Sequence, residues 1–364
     1  MIKREGGFTL IELLVTMVVF VIAIAAASQM FINMLTQFKQ QGKIAESNIE
    51  GIVGLELLRR DIGHAGYGLP WNIGVAYLEA DNFADTIQNE TAYNDAAAPR
   101  AFVSGDGVGL NGSDVLVIKA LNISTDDAAQ RWTRLGFGNV KRDDLSGDTL
   151  IGTDLVIIVS PGSTTANSRT LVGTTTYSAT GGLAPADNTE TYLIYAVDSA
   201  NLRMPFNRAD YYIRIPAANL PTRCAGGTGI LYKATVSHGT GGVAAGGLRE
   251  LPILDCVADM QVIYRLDTDN DGTAEFVTTS LAGFTAADIK DQVREVRAFI
   301  LTHEGRRDAN YTFTNFTGIA TCPTCIRVGE SAVQGRDLDI SGIANFQNYR
   351  WKVYTVLAKT SNLR

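Results

Sequence analysis

The sequence predicts an α+β protein in which a long amino-terminal helix, first transmembrane and then amphipathic, packs on a β-rich globular domain with an antiparallel sheet. An uncharged apolar run near the amino terminus, and apolar residues that continue at steps of three and four, predict the helix. Short apolar runs separated by Gly, Asn, Asp, Ser and Thr, from Trp71 onward, predict the strands. With 364 residues, of which 46% are hydrophobic and 19% charged, the chain has enough apolar material for a core besides the helix.

The apolar run is long enough to span a membrane. Between Glu12 and Lys39 there are 26 residues without a charge. A helix that rises about 1.5 Å per residue covers the roughly 30 Å of a hydrocarbon core with that length. Lys3 and Arg4 precede the run, which predicts a cytoplasmic leader and export of everything after Gln37.

Two features at the start of this run are unusual for a secretory signal. Gly6 and Gly7 lie before the apolar residues, whereas a signal-peptide cleavage site follows them, so a cut after Gly7 leaves the helix on the mature protein. Glu12 places a carboxylate inside the apolar run, where ionisable residues are usually paired. A cut after Gly7 would give Phe8 a free amino group, and we expect the amino group of one copy to neutralise Glu12 of its neighbour.

The segment Gly6–Glu12, which reads GGFTLIE and is followed by a long apolar helix, resembles the type IV prepilin signature. The resemblance implies that a prepilin peptidase recognises Gly6, Gly7 and Phe8, cuts after Gly7 and methylates the new amino group of Phe8. It assigns Glu12 to assembly. It also implies a set of partners, namely other major and minor pilins, the prepilin peptidase, the inner-membrane assembly platform and membrane lipid.

The amphipathic half of the helix is predicted from one stripe of apolar residues: Ala45, Ile49, Ile52, Leu55, Leu58 and Ile62. The whole helix is predicted to run from about Phe8 to about Ile62 and to end in the glycine-rich segment that follows. Gly42, Gly51 and Gly54 each weaken a helix by about 1 kcal/mol relative to alanine, which predicts a bend or a melted turn near Gly42. The predicted organisation is a leader at 1–7, a transmembrane half-helix at 8–38, an amphipathic half-helix at 39–66 and a globular domain at 67–364.

Eight apolar runs in the globular domain predict strands: Asp114–Ala120, Asp154–Ser160, Thr191–Val197, Tyr211–Ile215, Gly229–Val236, Met260–Leu266, Val293–Thr302 and Lys352–Ala358. A short helix is predicted at Ala286–Gln292, because Thr285 and Asp288 have the spacing of a capping box. Low-complexity composition predicts surface loops at Asn82–Arg100, Thr164–Asn188 and His238–Gly247.

Three further segments carry a narrower resemblance. Leu57–Tyr67, in which an arginine-bearing helix runs into Ala-Gly-Tyr, is similar to the end of the helix in PilW-type minor pilins. Val293–Glu304 and Tyr349–Arg364 look like the late strand and the final strand with its tail in the same group. The tail departs from the group, because Lys359–Arg364 replaces the usual ending. The segment Trp71–Cys256 resembles no family.

The acidic segment Asp267–Gly272 fits the first half of a calcium-loop pattern, in which oxygen ligands alternate around a glycine turn. Asp267, Asp269 and Asp271 are the candidate ligands, with Glu275 or a backbone carbonyl supplying a further one. The twelfth position is Thr278 instead of a glutamate, which excludes an EF-hand. An acidic turn between the strands Met260–Leu266 and Glu275–Thr279 explains the pattern equally well, so the sequence leaves Ca²⁺ as a candidate cofactor.

The cysteines predict disulfide bonds. There are four, Cys224, Cys256, Cys322 and Cys325, and all lie in the part predicted to be exported to an oxidising compartment. Cys322 and Cys325 close the shortest loop, which leaves Cys224 to pair with Cys256. The C-x-x-C spacing also occurs in redox and zinc sites, but Cys322 follows the strand-like, polar segment Tyr311–Thr321 instead of starting a helix, and a zinc site needs two more arranged ligands.

Other patterns argue against enzymes and nucleic-acid binding. The net charge of −7 and the absence of a Lys/Arg-rich run argue against a non-specific nucleic-acid binder. Gly107–Gly112 satisfies G-x-G-x-x-G but precedes a strand, so it predicts a loop and not a dinucleotide site. His64, His238 and His303 have no partners at catalytic or metal-ligand spacing, and no G-x-S-x-G occurs. We therefore expect no enzymatic activity.

These patterns and resemblances favour a PilW-like minor pilin that takes part in pilus initiation or tip assembly. Such a protein would reside in the inner membrane with a periplasmic domain and move to the pilus and cell surface on assembly. A minor pseudopilin of a type II secretion system is the nearest alternative. Two others are an adhesin or calcium-binding surface protein delivered by the pilin helix, and a periplasmic thiol oxidoreductase with a reactive Cys322.

Overall fold

The computed structural model describes residues 9–73, 98–141, 150–161, 169–178, 182–197, 204–216, 220–236 and 248–363. The chain divides into two compact units, Met1–Ile49 and Glu50–Arg364. Helix α1 (Leu10–His64) contributes its first part to one unit and its last part to the other. The predicted α+β fold, a long amino-terminal helix followed by an antiparallel β-rich domain, is confirmed.

In the first unit, α1 is helical without interruption, and this includes Gly42, where the sequence predicted a bend or a melted turn. The melted turn is therefore wrong, because one glycine costs a helix only about 1 kcal/mol and the flanking residues favour the helix, whereas the bend stays a prediction. Leu10–Lys39 is long and apolar enough to cross a membrane. Its described side chains are exposed.

The second unit contains two antiparallel sheets and a separate hairpin. Its strands in chain order are β1 (Phe102–Gly105), β2 (Val115–Ala120), β3 (Trp132–Gly136), β4 (Val140–Lys141), β5 (Leu155–Pro161), β6 (Arg169–Thr176), β7 (Thr191–Val197), β8 (Asn207–Arg214), β9 (Gly229–Val236), β10 (Leu248–Leu266), β11 (Phe276–Thr278), β12 (Val293–Glu304), β13 (Cys325–Gly329), β14 (Gly335–Asp339) and β15 (Arg350–Lys359). The main sheet has the order β1-β2-β8-β9-β10-β12-β15, with β11 paired to β10. The smaller sheet has the order β4-β3-β7-β5-β6, and β13 pairs with β14.

The structure recovers all eight predicted strands and adds others that the sequence did not reveal. Helix α2 (Ala286–Gln292) has the predicted capping box between Thr285 and Asp288. The loop predicted at 164–188 is wrong where β6 forms, because a threonine-rich strand can pair without an apolar face of its own. The strand-like segment 311–321 forms no strand, while the hairpin β13–β14 follows it. Residues 82–97, 164–168, 179–181 and 238–247 of the predicted loops lie outside the described residues.

The main sheet separates two apolar cores. Ile300 on β12 packs in the core that contains Leu58 and Ile62 of α1, and its neighbour Phe299 points into a second core that contains Phe313. This alternation is the period of two expected for a strand covered on both faces. Helix α1 therefore covers one face, and the segment between β12 and β15 covers part of the other.

Two glycines bring α1 unusually close to the sheet. A Cβ built on Gly54 would lie 2.0 Å from the carbonyl oxygen of Ile253, and one built on Gly51 would lie 3.0 Å from Leu254. The stripe predicted from the sequence is correct for Leu58 and Ile62 but wrong for Ile52, which is 61% exposed. The glycines displace the buried face of the helix toward their own side, because only a residue without a side chain permits this approach.

Candidate functional site

Helix α1 begins with a capping box that includes the candidate assembly residue. The backbone N–H and the hydroxyl of Thr9 both donate to Oε2 of Glu12, at 3.0 and 2.9 Å. The backbone N–H of Glu12 donates in turn to the hydroxyl of Thr9 at 3.3 Å. This reciprocal arrangement satisfies backbone donors of the first turn that have no partner within the helix.

The second carboxylate oxygen of Glu12, Oε1, accepts no hydrogen bond from any described residue. The Glu12 side chain is also exposed. One oxygen therefore caps the helix of its own chain while the other remains accessible to a donor from another molecule. Gly6, Gly7 and Phe8, the predicted cleavage and methylation residues, lie outside the described residues.

A buried ionic cluster joins the other end of α1 to the main sheet. Oδ2 of Asp61, which is fully buried, accepts hydrogen bonds from the ammonium group of Lys233 on β9 and from the hydroxyl of Tyr211 on β8, the latter at 2.6 Å. Burial lowers the pKa of Lys233 and raises that of Tyr211 well above its ordinary value. Oδ1 of Asp61 has no hydrogen bond in the described part of the chain, and Arg60 Nε lies 3.8 Å from it.

Sequence reasoning missed this cluster. Asp61 lies one residue from Ile62 and three from Leu58, both on the buried face of the helix, and that position was the only available signal. A carboxylate there needs a buried cation, but nothing in the sequence identifies Lys233, 172 residues away, as that cation.

The four cysteines form the two predicted pairs, Cys224–Cys256 and Cys322–Cys325. Cys256 adopts a positive φ of 59° where the register of β10 shifts against both neighbouring strands. The first disulfide thus fastens the irregular part of β10. Cys325 is buried at the start of β13 and Cys322 lies in a turn, so neither occupies the helix start that a redox-active C-x-x-C motif uses.

The acidic loop after β10 brings four carboxylates together. One oxygen each from Asp267, Asp269, Asp271 and Glu275 lie within 4.8 Å of one another. The N–H of Gly272 donates to Oδ2 of Asp267 at 3.1 Å, and the Arg294 guanidinium lies 2.7 Å from the same oxygen. These are the residues that could hold a cation, and Arg294 already supplies positive charge at the buried end of the group.

His303 on β12 is a buried imidazole that the sequence did not mark. Its Nε2 accepts a hydrogen bond from the N–H of Ala225 at 2.9 Å, next to the Cys224–Cys256 disulfide. Its ring packs against that of Tyr349, with the centroids 4.3 Å apart. Burial lowers the pKa of His303 to about 3, so this residue is neutral in the folded protein at ordinary pH.

The comparisons with known proteins concern the amino terminus. A family model for the prokaryotic N-terminal methylation motif matches residues 2–28, which include GGFTLIE and the start of α1. No curated protein matches the chain, and no solved structure matches it. The motif and the apolar helix together indicate membrane anchoring, and the motif implies processing by a prepilin peptidase and assembly with other pilins. The amino-terminal region therefore carries the prepilin signature of type IV pilin-like proteins, which comprise pilins and pseudopilins.

Proposed function

We propose that this protein is a PilW-like minor pilin that takes part in the initiation or tip assembly of a type IV pilus. It is inserted in the inner membrane, cleaved after Gly7, methylated at Phe8 and assembled into the filament through α1. The observation that carries the proposal is the methylation motif at residues 2–28, which continues into an apolar helix with Glu12 in its first turn. The large, loop-rich β domain favours a pilus over a type II secretion system.

The geometry at Glu12 supports the role in assembly. Both bonds from Thr9 end on one carboxylate oxygen, which leaves Oε1 free of described partners. A neighbouring subunit's amino group can therefore form a charge-assisted hydrogen bond with Glu12 without disrupting the helix cap.

Two substitutions separate capping from charge. Glu12→Gln keeps an oxygen that can accept the Thr9 bonds but removes the charge, whereas Thr9→Val removes the capping hydroxyl and keeps the charge. We expect Glu12→Gln, and also Glu12→Leu, to be processed normally but to be several-fold depleted in sheared pili, with Thr9→Val close to wild type. Wild-type amounts of both Glu12 variants in pili would contradict the assembly role.

Processing is tested by Gly7→Val, because the peptidase must fit the residue before the cut into a narrow site at the membrane. We expect full-length precursor by intact-mass measurement. Gly42→Ala is the control, since no atom of a described residue outside the helix backbone lies within 4 Å of a Cβ there. A mature amino terminus at Phe8 in the Gly7→Val variant would refute prepilin processing.

Strains that carry these variants, together with a deletion strain, distinguish the proposed function from its alternatives. A minor pseudopilin would be missing from sheared pili, and its deletion would stop secretion of folded proteins and leave pili intact. A thiol oxidoreductase would need a reactive Cys322, and alkylation of the native protein after mild reduction would measure that reactivity. The disulfide between Cys322 and the buried Cys325 favours a structural role.

A further inference from the structure

The last residues of the chain reach back to the end of helix α1. The side-chain amide of Asn362 donates to the carbonyl oxygen of Gly63 at 2.9 Å, and the hydroxyl of Ser361 donates to the same oxygen at 3.2 Å. Gly63 is the penultimate residue of α1, so its carbonyl is one of the last four, which have no partner within the helix. Residues nearly 300 positions away in the sequence therefore supply the cap.

The next residue fills the core beneath the turn that follows α1. Leu363 is 1% exposed and belongs to the core that contains Leu58 and Ile62. Gly66, in the turn, has a φ of +81°, and a Cβ built on it would lie 2.5 Å from Cδ2 of Leu363. The turn and the tail thus fit against each other with no room for a side chain at residue 66.

The same short tail is tied to both sheets. The N–H of Thr360 donates to the carbonyl oxygen of Arg294 at 3.1 Å and its hydroxyl donates to that of Val293 at 2.7 Å, at the start of β12. Arg169, the first residue of β6, donates to the carbonyl oxygen of Asn362 at 3.4 Å, and its guanidinium lies over the ring of Trp71. Four residues therefore contact the end of α1, the main sheet and the smaller sheet.

We propose that the carboxy-terminal tail, Thr360–Leu363, is a strap that clamps the end of helix α1 onto the β domain. The strap, and not the helix sequence alone, keeps the last turn of α1 and the turn at residues 65–69 closed. Its capping group is the Asn362 amide, which places a donor at the helix carboxy terminus, where the partial negative charge of the helix dipole accumulates. The inference concerns the folded domain and holds whether or not the protein assembles into a pilus.

Substitutions at Asn362 that differ in donor capacity and charge should have effects of different size on the end of α1. Alanine removes the donor, aspartate removes it and adds a negative charge near the negative end of the helix, and lysine restores both a donor and a favourable charge. Removal of one such hydrogen bond changes a local opening equilibrium by a few-fold to about tenfold. If the tail acted only through the packing of Leu363, the effects of the Asn362 variants would not depend on the charge of the new side chain.

The test is hydrogen–deuterium exchange on the full chain in detergent micelles. We expect the amides of 63–69 to exchange about fivefold faster in Asn362→Ala and more than tenfold faster in Asn362→Asp, with Asn362→Lys close to wild type. Lys359→Ala, which alters an exposed side chain of the adjoining strand, is the control and should leave the exchange rates at 63–69 unchanged. The amides of β12 should keep their rates in all four variants.

Two results would overturn the strap. One is unchanged exchange at 63–69 in both Asn362→Ala and Asn362→Asp. The other is an equal acceleration at 63–69 and in β12, which would mean that the tail only adds to global stability. Leu363→Ala extends the test if it folds, and it should accelerate 63–69 more than β12, because Leu363 contacts the turn directly.

Discussion

Helix α1 carries a carboxylate in its first turn and another in its last turn, and the two meet opposite surroundings. Glu12 is exposed and accepts its hydrogen bonds from Thr9, three residues away. Asp61 is fully buried and accepts its bonds from Tyr211 and Lys233, which are 150 and 172 residues away. An exposed carboxylate with a local partner remains available to another molecule, whereas a buried one is committed to its own domain.

We therefore expect the two ends of the helix to affect different properties, namely domain stability at Asp61 and association at Glu12. Desolvation makes an isolated buried charge costly, so the Asp61 cluster should control the stability of the domain. Glu12 belongs to the other compact unit, Met1–Ile49, so it should control association and leave the stability of the β domain unchanged.

The largest effect is expected at Lys233. Lys233→Met leaves the Asp61 carboxylate buried without its cation, and we expect the free energy of unfolding to fall by about 3–5 kcal/mol. Denaturant titration of the full chain in detergent, followed by tryptophan fluorescence, measures it. Glu12→Gln in the same assay should unfold at the wild-type denaturant concentration.

A triple variant checks that the loss comes from an unpaired charge. Asp61→Leu, Lys233→Met and Tyr211→Phe together remove every member of the hydrogen-bonded cluster, and most of the stability should return. If Lys233→Met alone leaves the unfolding free energy unchanged, the two carboxylates do not differ in the way proposed.

The next effect is a pH dependence that His303 imposes. Its pKa is about 3 when folded and about 6.5 when unfolded, so the unfolded chain binds the extra proton between these values. The contribution of His303 to the free energy of unfolding should therefore fall with decreasing pH from about 6.5 towards 3, by roughly 1.4 kcal/mol per pH unit. Asp114 acts in the opposite sense, because burial raises its pKa to about 7 and protonation then favours the folded state.

His303→Gln isolates this contribution, because glutamine can accept the hydrogen bond from Ala225 but does not titrate. The difference in unfolding free energy between wild type and His303→Gln should change steadily between pH 6 and 4. A constant difference over that range would mean that His303 is protonated in the folded protein or is exposed to solvent.

The acidic loop lies between the two extremes, because Asp267 is buried while Asp269, Asp271 and Glu275 are exposed. If the loop binds calcium, the β domain should be stabilised by about 2.7 kcal/mol at a hundredfold excess of Ca²⁺ over Kd. Thermal unfolding in millimolar calcium and in chelator measures the shift, which Asp269→Ala should abolish. Asp187→Ala, which removes an exposed carboxylate between β6 and β7 and outside the acidic loop, is the control and should retain the shift. Equal melting temperatures in the two buffers would identify an acidic turn neutralised by Arg294.

The smallest effects compare two glycines of α1. Gly54→Ala places a methyl group against the carbonyl of Ile253 and should destabilise the domain by about 1–3 kcal/mol. Gly42→Ala meets no atom within 4 Å and should stabilise the helix by about 0.5–1 kcal/mol. Circular dichroism of thermal unfolding should give shifts of opposite sign, and shifts of the same sign would contradict the close approach at Gly54.

The sequence by itself determined the features whose causes are local. The span Leu10–Lys39 follows from composition, and helix α2 follows from the capping box at Thr285. The strands β7 and β9 were located to the residue, because apolar runs bounded by turn residues give a strong local signal. The short loop between Cys322 and Cys325 likewise indicated its own closure.

Only the tertiary structure decided the features that depend on distant partners. From the sequence, Gly51 and Gly54 are residues that weaken a helix, whereas in the structure they allow α1 to approach the sheet. Ile52 was predicted to be in the core, but it is exposed because the glycine side of the helix is buried instead. Asp61 pairs with Lys233, and the carbonyl of Gly63 is capped by Asn362. Both partners lie far away along the chain. The physical reason is that helix periodicity and turn chemistry act over a few residues, whereas charge pairing, close packing and capping from a distant tail depend on which surfaces meet after folding.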